Sequence, residues 1–208
     1  MIILNCEQQS PEWFDARLRV ASASNFGKII TPTGKPSTQA KTYFKKLFNE
    51  GISRKRKESF QSQEMLHGIE MEGEARNYYE FMFCPAEVKM QKVGLCYLDE
   101  RKLISCSPDS LVGEDGGLEI KCPDPSTHDE YLDAGKVPSV YIPQIQGSLW
   151  VTGRQWWDFM SYVPGMPDFV LRVERDESYI DRLAVMVEDF VAKLDARLKP
   201  YLEMRKAG

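Results

Sequence analysis

The stretch Ser105 to Pro123, S-C-S-P-D-S-L-V-G-E-D-G-G-L-E-I-K-C-P, decides how this chain is read. Gly113 to Gly117 is a turn, and Leu118 to Cys122 is a strand that a short hairpin sets beside the segment carrying Asp109. Side chains alternate along a strand, so Glu119 and Lys121 share one face while Ile120 faces the core. The Ile120 carbonyl, between two polar side chains, stays available as a hard oxygen ligand. Two carboxylates and a carbonyl suit Mg²⁺, which takes oxygen ligands and keeps several waters. Lys121 can orient or deprotonate such a water if burial and the metal lower its pKa. The pattern suits phosphodiester hydrolysis. Pro-Asp followed by acidic-x-Lys arises by chance in about one random chain in ten of this length. A surface hairpin with a cross-strand Lys and Glu is therefore the competing reading. Pro123-Asp124 and Pro167-Asp168 have no acidic-x-Lys behind them, so one ordered pair survives.

Working outward, Ser10-Pro11-Glu12 starts a helix to about Arg19: Ser10 caps it, Pro11 suits the first turn and Glu12 complements its positive end. Ser22-Ala23-Ser24 offers a second cap, for a short helix that Thr31 to Pro36 ends. Tyr43, Phe44, Leu47 and Phe48 recur at helical spacing between Thr38 and Glu50, and Glu64 to Phe83 forms a longer helix that sets Glu72 one turn from Arg76. After Pro85 strands are expected at Val88 to Leu98, Leu103 to Ser107 and Leu118 to Cys122, as an antiparallel meander. Helices at Thr127 to Ala134 and from Pro143 follow, then strands at Gln155 to Tyr162 and Phe169 to Arg175. Tyr179 to Tyr201 closes the chain as an amphipathic helix. The order implies an α/β (α+β) fold with a central mixed β-sheet flanked by helices, and residues 1–208 read as one domain.

The chain has 208 residues, 42% hydrophobic and 28% charged, an ordinary globular composition. No apolar run reaches the roughly 18 residues that cross a bilayer, and the first residues lack a basic flank, so a cytoplasmic protein without membrane partners is expected. Five cysteines with no C-x-x-C pair suggest free, mostly buried thiols. Net charge is −4, yet Lys35 to Lys57 holds eight basic residues and one acidic one. The whole-chain balance therefore does not exclude DNA, and this segment is where phosphate-backbone contacts are expected. A solvated charged face is the plainer alternative. His67 and His128 form neither a ligand pair nor a nucleophilic triad, and Met65 and Leu66 suit core packing better than wedging against a terminal base pair.

From Trp13 to about Leu194 the chain resembles the lambda exonuclease family, also called the YqaJ-like viral recombinases, within the PD-(D/E)xK nuclease superfamily. The motifs that carry the resemblance are Trp13-x-x-x-Arg17-Leu18 with Ala23-Ser24, Gly68-x-x-x-Glu72-x-x-Ala75-Arg76, and Cys106-Ser107-Pro108-Asp109. Gly117 to Pro123 and Tyr141-x-x-Gln144-x-Gln146-x-Ser148-x-Trp150-Val151-Thr152 complete them. The resemblance implies a restriction-endonuclease-like core. In it Asp109, Glu119 and the Ile120 carbonyl bind one metal, and Glu72 joins Asp109 at a second. Lys121 is implied as the catalytic lysine and Gln144 as the glutamine that holds the attacking water or the lysine. Arg17, Ser24 and Ser107 correspond to a 5′-phosphate pocket. Two residues keep plainer alternatives: Glu72 as a salt bridge to Arg76, and Ser24 as a helix cap. The implied activity is a Mg²⁺-dependent exonuclease, with Mn²⁺ an alternative and two ions per site. It digests one strand of linear double-stranded DNA from the 5′ end, releases mononucleotides and leaves a 3′ single strand for annealing recombination. A homotrimer ring and a single-strand annealing protein partner are implied as well. The competing functions are an internally cutting PD-(D/E)xK endonuclease, a catalytically inactive DNA-end-binding module, and an acidic interaction protein docking through Tyr179 to Tyr201.

Overall fold

In a computed structural model that describes residues 1–55 and 63–206, the strands form two mixed sheets rather than one meander. The elements are β1 (Ile2–Leu4), α1 (Pro11–Ala16), β2 (Ala21–Ser22), α2 (Ala40–Ser53), α3 (Gln63–Phe83), β3 (Met90–Gln91), β4 (Leu95–Tyr97) and β5 (Ile104–Cys106). They continue with β6 (Ser110–Val112), β7 (Gly116–Lys121), α4 (Pro125–Ala134), α5 (Ile142–Thr152), β8 (Trp156–Ser161), β9 (Phe169–Glu174) and α6 (Glu177–Lys206). One sheet has the order β1-β4-β5-β2 and the other β3-β6-β7-β8-β9. Each contains one parallel pair, β2 with β5 and β7 with β8, so the mixed, helix-flanked class expected from the element order is the one observed.

The stretch expected as one strand, Val88 to Leu98, is split between the sheets: Met90 pairs with Val112, whereas Cys96 pairs with Cys106. The break falls at Val93-Gly94, where a Cβ on Gly94 would stand 2.4 Å from the Cys6 carbonyl oxygen. The chain changes sheet again between Cys106 and Ser110. Asp109 therefore lies in the passage from β5 to β6, and β6, not β5, is the hairpin partner of β7. Arg154 secures that hairpin by donating from one guanidinium nitrogen to the carbonyls of Gly113, at 2.9 Å, and Gly116, at 2.6 Å.

The five-stranded sheet is covered on both faces. Leu118 and Ile120 of β7 pack with Ala75 and Tyr79 of α3, while Trp157 and Phe159 of β8 join the main core with Ile145 and Leu149 of α5. At the start of β7 a Cβ on Gly117 would come within 2.3 Å of the Trp157 ring, so glycine there lets the buried indole reach the backbone. The apolar stripe of α6, including Ile180, Leu183, Val187 and Leu194, is buried in the main core. Among the described residues no helix is long and apolar enough to cross a membrane. All five cysteines are free, and only Cys96 and Cys106 are fully buried. Arg56, Lys57, and the side chains of Met65, Leu66 and His67 lie outside what is described.

Candidate active site

Glu119 and Lys121 stand on one face of β7, and the lysine Nζ donates to the Glu119 carboxylate at 2.5 Å. From α5, the Gln144 amide donates to the same Oε1, also at 2.5 Å. Ile120 is 6% exposed within the core beneath. Its backbone orientation follows from strand pairing. Tyr162 N–H donates to the Lys121 carbonyl at 2.8 Å, so the Lys121 backbone faces β8 and that of Ile120 faces the other way. On that side β6 pairs only as far as Leu118, which leaves the edge of β7 to Asp109. The Ile120 N–H donates to the Asp109 carboxylate at 2.6 Å. The Ile120 carbonyl therefore faces the same strand edge as Asp109.

Electrostatics at this end are strongly coupled. Burial, then the charges of Glu119 and Glu72, hold the Asp109 carboxyl well above the usual carboxylate range. Burial works against the Lys121 ammonium, but Glu119 and Asp109 outweigh it and its pKa is raised. That is opposite to the lowering expected from burial alone, because both acids lie within reach of the nitrogen. The Lys121 ammonium also stands 5.1 Å from the centre of the Tyr141 ring. Glu72 forms the short i,i+4 ion pair with Arg76, which in turn donates to the Asp109 carbonyl at 3.0 Å. Glu72 thus reaches the acidic end through an arginine.

These donors fit a hard divalent cation: they are oxygens, they carry excess negative charge, and like-charge repulsion already raises Asp109. Among the described residues no three His, Cys, Asp or Glu side chains form a cluster able to hold an ion by themselves. The fitting set is therefore the Asp109 and Glu119 carboxylates with the Ile120 carbonyl and solvent, Glu72 standing further out.

The other end of the cleft is cationic. Arg17, the residue that closes α1, donates to Ser107 Oγ at 2.7 Å and Ser22 Oγ at 3.1 Å, with Ser24 Oγ at 3.4 Å. Its guanidinium carbon lies 4.2 Å from the Trp13 ring centre, and the Trp13 indole N–H reaches Ser107 Oγ at 3.1 Å. Ser22 makes no side-chain cap to the 3-10 turn Ala23–Lys28. The Ser22 and Ser24 hydroxyls instead face Arg17 and each other, 3.1 Å apart. Gln8, Trp13, Arg17, Ser24, Ser107, Asp109, Glu119 and Gln144 all line one cleft of about 160 Å³. Of the residues expected at the site, eight of nine are thus drawn to it or its floor, and Glu72 alone is held off by its ion pair.

The sequence assigns no role to Gln8, Asn25 or Tyr141, and reads Ser22 only as part of a helix cap. Gln8 donates to the carbonyls of Pro108, at 2.8 Å, and Val93, at 3.0 Å, tying the passage that carries Asp109 to the first sheet. Asn25 donates to Ser22 Oγ at 3.1 Å. His128 is buried and structural. Its Nε2–H donates to the Pro167 carbonyl at 2.9 Å, which leaves Nδ1 to accept from Ser161 at 2.8 Å.

Comparison with known proteins bears on this arrangement. The pattern defining the YqaJ-like viral recombinase domain matches residues 12–155. The fold is similar to that of an alkaline exonuclease from Laribacter hongkongensis, LHK-Exo, with 32% sequence identity, TM-score 0.82, and coverage of 95% of this chain and 98% of that one. It is similar also to LHK-Exo in complex with dAMP, at 33% identity, TM-score 0.81 and the same coverage. A phage-related exonuclease from Haemophilus somnus 129PT shares the fold at 16% identity, with TM-score 0.60 over 87% of this chain and 96% of that one.

Proposed function

Because this chain belongs to the YqaJ-like viral recombinase family, we propose that it is a divalent-metal-dependent 5′-to-3′ exonuclease of linear double-stranded DNA. It releases 5′-mononucleotides and leaves 3′ single strands for recombination by strand annealing. The family and the likeness to an alkaline exonuclease support a nuclease acting on DNA. The finer reading is carried by one observation: the carboxylates Asp109 and Glu119 with Gln144, Lys121 bonded to Glu119, share a single cleft with an arginine–serine pocket, joined through Ser107-Pro108-Asp109.

In this reading Arg17 binds the terminal 5′-phosphate through its guanidinium, and Ser24 and Ser107 complete the cradle with hydroxyls. Asp109, Glu119 and the Ile120 carbonyl would hold the first Mg²⁺ (Mn²⁺ being the alternative), and Glu72 would join Asp109 at a second. When bound, the metals supply neutralisation of the phosphate charge and a more acidic water. Lys121 and Gln144 orient the attacking water by hydrogen bonds from the side of Glu119. Attack opens the P–O3′ bond and frees a nucleotide carrying the 5′-phosphate. Recovery of LHK-Exo with dAMP fits a mononucleotide product of this kind. Residues 1–208 act as one nuclease domain in the cytoplasm. The family likeness also supports a homotrimer ring that encloses DNA and passes the 3′ strand to a single-strand annealing protein. Enclosure gives processivity without tight binding, which suits a chain of net charge −4.

The test incubates the protein and Mg²⁺ with linear duplexes labelled at the 5′ or 3′ end of one strand, carrying 5′-phosphate or 5′-hydroxyl, beside a closed circle. Early release of 5′-labelled mononucleotide with the circle intact is the expected result. A cut circle would install the endonuclease reading, and tight end binding without cleavage the inactive module.

A further inference from the structure

Helices α2 and α6 leave between them a recess of about 820 Å³, some five times the roughly 160 Å³ of the cleft holding Asp109 and Glu119. Its floor is apolar. Phe44 and Phe48 of α2 and Met186 and Phe190 of α6 line it. Phe44 packs edge-on against Phe190 with ring centres 5.6 Å apart, yet Phe44 and Phe48 both remain partly exposed. The rim is cationic on both banks, with Lys41 and Lys45 on α2 and Lys193 and Arg197 on α6. Asp189 is the single carboxylate among the lining residues, and Lys193 holds it at 2.6 Å. Lys41, Lys45 and Arg197 make no ion pair among the described residues.

Helix α2 divides this recess from the arginine pocket. Tyr43, Lys46, Leu47 and Glu50 turn toward Arg17 and Ser22, whereas Lys41, Phe44, Lys45 and Phe48 turn toward α6. The basic segment of the sequence is therefore two faces, and the cleavage proposed above uses neither Phe44 nor Phe48. Phosphate contacts need cations and polar donors but leave no role for a floor of aromatic rings, so duplex DNA does not account for the recess. Apolar floor and paired basic banks together match the recognition of an amphipathic helix in a groove. The lining from Lys41 to Asn49 spans about 12 Å of helix, enough for anchors on two successive turns.

We infer that the α2–α6 recess is a docking groove for an acidic amphipathic helix of another protein. Its apolar anchors sit on Phe44, Phe48 and Phe190, and its carboxylates pair with Lys41 and Lys45 on one bank and Arg197 on the other. This reading is independent of the nuclease reading, since a chain that cut no DNA would present the same groove.

The test selects from a displayed library of random peptides of about 16 residues, four to five helical turns, against the full chain. Enriched sequences are expected to carry Asp or Glu beside Leu, Ile or Phe at three-and-four spacing. A synthetic copy should lose about tenfold or more in affinity for Lys193→Glu/Arg197→Glu, a double change on exposed α6 surface, and a copy with lysines in place of its acids should bind that variant better than wild type. Four outcomes would overturn the inference: enriched peptides without acidic residues, equal binding to wild type and variant, displacement of the peptide by duplex DNA with matching loss of duplex affinity in the variant, or self-association of the wild type that the variant abolishes. The last two would make the groove a nucleic-acid face or an interface between copies.

Discussion

At one end of the cleft Asp109, Glu119, Lys121 and Gln144 come from the passage before β6, from β7 and from α5, with acid and base 2.5 Å apart. At the other, Arg17 draws Ser22, Ser24 and Ser107 around a single guanidinium, with Trp13 beneath it. In the first, fixed charges of both signs crowd a largely desolvated space, so each sets the state of the others. In the second, one permanent cation is shared among neutral hydroxyls at graded distances. Loss at the acidic end should be close to all-or-none, and loss at the arginine end partial and dependent on the DNA end offered.

The sharpest separation comes from removing the metal or one ligand. EDTA, or Asp109→Asn, should lower cleavage by about 10³-fold or more while folding survives, as a melting curve would show. A variant that still turned over would move the metal away from Asp109. Lys121→Ala should cost about 10² to 10⁴ in single-turnover rate with DNA binding retained, and an unchanged rate would remove the lysine from the mechanism. Next comes Arg17→Ala, which loses hydrogen bonds to a charged phosphate worth about 1.5–3 kcal/mol, hence roughly 10- to 100-fold. The loss should fall on 5′-phosphorylated ends and spare 5′-hydroxyl ends. An equal loss on both would assign Arg17 to folding and erase the contrast between the two ends. Smallest is Trp13→Phe, which keeps a ring under the guanidinium but deletes the indole N–H that donates to both the Gly94 carbonyl and Ser107 Oγ. About 1 kcal/mol, or a several-fold rise in KM for phosphorylated ends with kcat held, is expected.

The difference between the ends also explains what the sequence disclosed. Glu119, Ile120 and Lys121 lie on one strand, and period-two alternation suffices to sort their faces, as β7 bears out. The long helices α3 and α6 likewise repeat often enough to be seen. Strands β1, β2 and β6 have only two or three residues each, too few to display a period, so they escaped notice and with them the second sheet. The arginine pocket is long-range: Arg17 meets Ser107 across 90 residues and Gln8 meets Pro108 across 100. Arg17, Ser24 and Ser107 were legible only through family resemblance. Ser22, Asn25 and Gln8, outside its quoted motifs, look like ordinary turn and loop residues until the sheets meet. The upward shift of Lys121 comes first from Glu119, its neighbour on the same strand face, and then from Asp109, which the crossing between sheets delivers.

That crossing is only two peptide links long. Ser107 follows β5 of one sheet and Asp109 precedes β6 of the other, with Pro108 between them, so their Cα atoms can never stand more than about 7 Å apart. The molecule therefore carries a covalent gauge between the place where a strand end is held and the place where its backbone is opened. Neither sheet can drift to change that length. A chain with one residue inserted at Pro108 could keep both sheets, both charge clusters and its affinity for DNA, and still measure out the wrong bond.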